Sequence, residues 1–216
     1  MRIILIGYRD WAINAFSHFK DLQIINSNEH LNNFLNSLNS NEELCLIFVG
    51  WSEIIKLEIL SKFICICLHP SDLPRFRGGS PIQNQKINGI KKTKLTAFRM
   101  NSKIDQGPII LKTDINLDGH MKEIFSSLEK ATIKIIQKII DNPNKSFLRG
   151  NIQDESKATF YKRRIPQESE ITLNELSSLP AEKLYQKICA LEDPYPNAFI
   201  KTIDNRKIFL KLVEIA

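Results

Sequence analysis

Four short, largely unbroken apolar runs fall within the first third of the chain, and they constrain its fold more than any other feature. They are residues 2–7, 22–26, 44–49 (Leu-Cys-Leu-Ile-Phe-Val) and 63–68 (Phe-Ile-Cys-Ile-Cys-Leu). A strand with one solvated face alternates apolar and polar side chains. A run without alternation needs cover on both faces, as in a parallel sheet packed between helices. The intervening stretches 10–20, 29–39 and 53–61 are long enough to be those helices, with Ser27 and Asn28 as candidate caps of the second. The series predicts an open, doubly wound α/β sheet.

Composition narrows the class. With 216 residues, 43% hydrophobic and 25% charged, the chain can bury a core without a disulfide or metal staple. No apolar run approaches the roughly 20 residues of a membrane-spanning helix. The run Ile3-Ile4-Leu5-Ile6 is too short for a signal-peptide core, so we expect a buried first strand in a cytoplasmic protein. Lys and Arg total 30 against 24 Asp and Glu. The excess suits an anionic ligand, and equally a solvated lysine-rich surface. Cys65 and Cys67 alternate along one predicted strand and so share a face, a poor geometry for a disulfide. The four cysteines and four histidines show no zinc spacing, and no metal is expected.

In open sheets of this kind ligands bind outside the carboxyl ends of the strands. The first exit, Gly7-Tyr8-Arg9-Asp10-Trp11, lacks the glycine pattern of a dinucleotide or P-loop enzyme. At the second, Gly50 permits close approach of a ligand and Trp51 offers a flat face; a tight turn with a packing tryptophan reads equally well. The third, from Leu68-His69-Pro70 to Arg77-Gly78-Gly79-Ser80-Pro81, is the richest. It sets His69 directly off a buried strand, followed by a proline- and glycine-shaped loop of functional length. A helix is expected from Ser80-Pro81.

Further on, residues 92–100 read as a strand and 109–111 begin another, with Asp105 and Gly107 in the turn between them. Asp105 is either a turn former or a carboxylate placed to orient a histidine. Residues 120–140 have helical spacing, with His120 at the surface or as a cap. Residues 160–166 carry aromatic and basic side chains fit to contact an anion or nucleic acid, or to pack against the domain. A helix over 180–191 and a hairpin over 198–213 close the chain.

The segment from Cys67 to Ile109 resembles the formyltransferases that use 10-formyltetrahydrofolate. Their pattern of Asn, one residue, His, a Ser-Leu-Leu-Pro-like turn, Arg-Gly and Pro appears here as Cys67-Leu68-His69 through Pro81. The downstream Asp-x-Gly-x-Ile turn appears as Asp105 to Ile109. The tail segments Tyr161 to Pro166 and Cys189 to Phe199 are most similar to the sugar N-formyltransferases. This resemblance implies a Rossmann-like doubly wound, mostly parallel sheet over 1–155, as catalytic domain. A small α+β C-terminal subdomain over 156–216 would end in the hairpin.

The same resemblance implies formyl transfer from 10-formyltetrahydrofolate to the primary amine of a nucleotide-linked amino sugar, with no DNA or membrane partner. His69 would be the general acid/base and Asp105 its orienting carboxylate. Gly50, Trp51, Gly78, Gly79 and Ser80 would meet the folate, and Arg77 or the patch at 162–164 the diphosphate. Cys67 departs from the family's catalytic asparagine. It removes an oxyanion donor that Gln83 or a backbone N–H near Gly78-Gly79 could replace, and a nucleophilic role for its thiol stands as the minor alternative. Asp72 also departs from the pattern, with no role evident in the sequence. The alternatives are a non-catalytic folate- or nucleotide-binding module and an RNA-directed enzyme like methionyl-tRNA formyltransferase. The terminal hairpin could pair two subunits as a homodimer.

Overall fold

In the computed structural model, which describes residues 1–39, 42–144 and 146–216, the apolar runs form one six-stranded sheet. In chain order the elements are β1 (Arg2–Ile6), α1 (Asp10–Phe16), β2 (Gln23–Ile25), α2 (Asn28–Asn36), β3 (Leu44–Val49), α3 (Leu57–Lys62) and β4 (Ile64–His69). There follow β5 (Arg77–Gly78), α4 (Pro81–Ile87), β6 (Lys92–Arg99), β7 (Ile109–Asn116) and α5 (Met121–Asp141). The tail holds β8 (Phe160–Tyr161), α6 (Leu173–Ser178), α7 (Ala181–Cys189), β9 (Phe199–Lys201) and β10 (Lys207–Phe209).

The sheet order is β2-β1-β3-β4-β6-β7. The first four strands are parallel, and β6 and β7 are antiparallel additions. Both faces are covered, as the unbroken runs require. Ile3 and Leu5 of β1 pack in one core with Phe16 of α1 and Ile135 of α5, while Ile4 and Ile6 pack in the other with Leu31 and Phe34 of α2. Cys65 and Cys67 share the second face with Met100. The chain winds outward from β1 in both directions, so the crevice between the ends of β1 and β3 is the topological switch point.

Most of the predicted helices run shorter than expected, two of them markedly. α1 stops at Phe16, and the stretch predicted as 53–61 is helical only from Leu57. Ile55 is buried as an anchor while Ile54 and Leu57 face outward, so the apolar spacing there belongs to an extended cleft rim. Ser27 does cap α2, its side chain accepting from the His30 N–H. α6 was not anticipated, although Thr172 and Glu175 form the capping box that starts it. His120 caps α5, its N–H donating to Glu123. The tail hairpin is present as β9 and β10, turning through Asn205.

Candidate active site

His69 ends β4, held against Thr96 of β6, and is 6% exposed. Its Nε2 lies 2.8 Å from the Phe76 carbonyl. That contact makes Nε2 the donor and leaves Nδ1 facing Asp105 Oδ2 at 3.6 Å. Phe76 adopts a left-handed backbone (φ 57°), which turns its carbonyl toward the imidazole. Its N–H donates to Thr159 Oγ1 and its ring stacks on Tyr161 at 4.9 Å.

Asp105 also sits in the left-handed region, at φ 55°. Its Oδ2 accepts from the Gly78 N–H at 2.7 Å, so one carboxylate serves both the imidazole and the third exit loop. The turn that carries it is tight: a Cβ on Gly107 would lie 1.7 Å from the Arg99 carbonyl oxygen. Gln153 fastens the turn from outside, donating to the carbonyls of Asp105 and Gly107. The imidazole and carboxylate, far apart in the chain, thus open on one cleft of about 940 Å³.

Cys67 lies on the wall of that cleft. Burial pushes its thiol well above the ordinary range and the Asp105 charge adds to the rise, so it is a neutral thiol rather than a nucleophile. Gln83 is buried in the same wall, and its side chain makes no hydrogen bond among the described residues. Gly50, in the left-handed region at φ 61°, and Trp51 lie at the switch-point end. Trp51 packs on Tyr8 and Phe48, and its indole Nε1 is buried without a partner among the described residues.

Arg77 corrects an expectation. Its guanidinium is 3% exposed and points away from the cleft, donating to Gln153 Oε1 and to both carboxylate oxygens of Glu155. Its donors are committed within the fold, so it is not free to meet a diphosphate. Gly78 and Gly79 do line the cleft, but their lack of a side chain answers a different need. A Cβ on either would come within 2.3 Å of the backbone at Tyr161 or Arg163. That closeness follows from the parallel pairing of β5 with β8. Ser80 is held by the same segment, its Oγ accepting from the Arg164 N–H.

The pairing carries Lys162, Arg163 and Arg164 to the rim, and Arg164 Nε is buried without a partner among the described residues. Sequence reasoning missed Arg9 and Tyr195 as lining residues. Arg9 stands at the first exit, a loop without the glycine pattern that marks a phosphate-binding turn in a sequence. Burial pushes the Tyr195 phenol up to about 12, against the opposing charge of Arg9. Asp72 gains a role: Lys112 Nζ of β7 bonds its carboxylate at 2.5 Å and the Leu73 carbonyl at 2.6 Å, tying the loop to the edge strand.

A buried imidazole–carboxylate pair at the carboxyl ends of a doubly wound sheet, beside a roomy cleft, is the arrangement of an acid–base group-transfer site. Comparison with known proteins gives the family. Residues 10–140 match the formyl transferase family model, and the chain belongs to that family. It is 37% identical over 142 residues to a methionyl-tRNA formyltransferase of Thermotoga neapolitana, covering 63% of this chain and 44% of that protein. The chain spans about half the length of the curated relatives it matches. A methionyl-tRNA formyltransferase structure from Clostridium thermocellum superposes with a TM-score of 0.79 at 33% identity, over 94% of this chain and 88% of that one. A 4-N formyltransferase from Francisella tularensis shares the fold, with a TM-score of 0.74 at 17% identity and 99% of each chain covered.

Proposed function

We propose that this chain is an N-formyltransferase that moves a formyl group from 10-formyltetrahydrofolate to the primary amine of a nucleotide-linked amino sugar. The observation that carries the reading is the His69–Asp105 pair opening on one cleft. The folate fits the residues present: at the switch-point end of the cleft Trp51 offers a ring face and an indole N–H that is buried without a partner among the described residues. When bound, the folate supplies the formyl group; the chain supplies position and proton handling.

His69 Nδ1 takes the proton that the amine gives up as its nitrogen bonds the formyl carbon, because Nε2 is held by the Phe76 carbonyl, and returns a proton to the folate nitrogen as the bond from the formyl carbon to that nitrogen breaks. Asp105 stabilises the resulting imidazolium. Gln83 offers the amide N–H that Cys67 cannot. Lys162, Arg163, Arg164 and Arg9 line the cleft and supply the cations that a diphosphate would require. The identity to relatives named methionyl-tRNA formyltransferase favours a second reading, in which the amine belongs to an aminoacyl-tRNA.

The test incubates the chain and the formyl donor with a panel of nucleotide-linked amino sugars and with methionyl-tRNA, and reads mass for a gain of one formyl group. Transfer to a sugar supports the first reading, and transfer to tRNA alone replaces it with the second. Folate binding without transfer to either would make the chain a binding module.

A further inference from the structure

Away from the cleft, three side chains with metal-ligating atoms meet where α5 joins the tail. His120 precedes α5, Cys189 is the last residue of α7, and Glu192 lies in the turn beyond. His120 Nδ1 is 2.5 Å from Glu192 Oε1 and 3.7 Å from Cys189 Sγ, and the three ligand atoms all lie within 4.8 Å of one another. The thiol is fully buried, while the His120 side chain keeps 27% of its surface and so leaves a way in.

The hydrogen bond between His120 and Glu192 accounts for two of the groups. The thiol, hydrogen-bonded to Tyr185 and Glu192, brings a third ligand-type atom beside the same nitrogen. We propose that His120, Cys189 and Glu192 bind one zinc ion, with water in the fourth position. Thiolate, imidazole and carboxylate together are a zinc donor set. Zinc bonds of about 2.0–2.3 Å place tetrahedral ligand atoms roughly 3.2–3.8 Å apart. The sulfur–nitrogen separation already falls there, and the nitrogen–oxygen separation needs to open by less than about 1 Å on that geometry. On binding the thiol proton leaves to solvent, and the imidazole binds in its neutral form through Nδ1 with its proton on Nε2, the hydrogen bond from His120 to Glu192 giving way to the metal.

Outer contacts favour the same arrangement. Glu192 Oε2 accepts from the Met121 N–H, which fixes the carboxylate, and the Tyr185 ring meets the imidazole edge-on. The nearby buried Lys86 ammonium is committed to the carbonyls of Leu117 and Gly119 and to Gln186. The ion would fasten α5 to the turn that leads into Tyr195 on the cleft wall.

The full chain, stripped of metal, is titrated with Zn²⁺ by calorimetry and with Co²⁺ by absorption. Expected are one equivalent of zinc, a sulfur-to-cobalt charge-transfer band with tetrahedral ligand-field bands, and loss of both in Cys189→Ala and His120→Gln. The absence of a thiolate band in the native chain, or its persistence in both variants, overturns the site. Should the variants fail to fold, X-ray absorption on the zinc-loaded native chain decides. One sulfur ligand supports the proposal; none, or more than one, overturns it.

Discussion

Asp105 Oδ2 stands 3.6 Å from His69 Nδ1 and accepts a 2.7 Å hydrogen bond from the Gly78 N–H. The carboxylate therefore sets a negative charge beside the imidazole and braces the loop that follows it. Asp105→Asn keeps an oxygen for Gly78 but loses the charge facing His69. We expect that variant and His69→Ala each to lower the formylation rate by about 10²–10⁴. The double variant should be little worse than either alone, because the two act as a unit. Single-turnover rates, with thermal melts to confirm folding, check this; full activity in either variant removes the pair from catalysis.

Gln83 tests how the site manages without the family's asparagine. Its side chain is buried at 6% exposure and has no partner among the described residues, so truncation breaks no bond of the resting protein. Gln83→Ala should slow transfer by about 10²–10³, the usual cost of one such donor. In a Cys67→Asn background the same change should cost far less. Equal losses in both backgrounds would assign Gln83 a role unrelated to Cys67.

Arg77 should matter to stability and little to substrate. Losing its charge-assisted bonding to the buried Gln153 should destabilise the chain by about 2 kcal/mol, the size of one such interaction, the exposed Glu155 end adding little. Urea titration of Arg77→Met measures that loss. KM for a nucleotide-linked substrate should stay within about threefold, half a power of ten being roughly 0.7 kcal/mol.

The buried thiols make stability fall in alkali. Burial pushes Cys45 and Cys65 up to about 12 from 9.0. Between those values the unfolded chain sheds protons that the folded chain keeps, so stability drops as pH rises through that window. The slope is about 1.4 kcal/mol per pH unit for each thiol. Denaturant midpoints taken from pH 8 to 11 should decline, and Cys45→Ala with Cys65→Ala should flatten the decline.

The strands were legible because two-sided burial leaves a mark in the chain itself: Ile3 and Leu5 serve one core, Ile4 and Ile6 the other. His69 was legible for a related reason, as a polar residue at the end of such a run. The resemblance brought Asp105 to His69; local pattern left it either a turn former or an orienting carboxylate. Arg77 misled because its partners Gln153 and Glu155 lie far along the sequence, and a cation in a glycine-rich loop looks free until they are seen. Asp72 was opaque in the same way, its meaning residing in Lys112. At 53–61, helical spacing of apolar residues came from Ile54 and Leu57 on a rim rather than on a buried face.

The seam between β5 and β8 leaves no space for even a methyl group at Gly78 or Gly79. A substitution that shifts the backbone of residues 160–163 therefore presses directly on the loop beside His69. A graft that exchanged the tail for that of another family member would have to bring its own version of residues 77–79, or the loop that positions the histidine would be displaced from a distance.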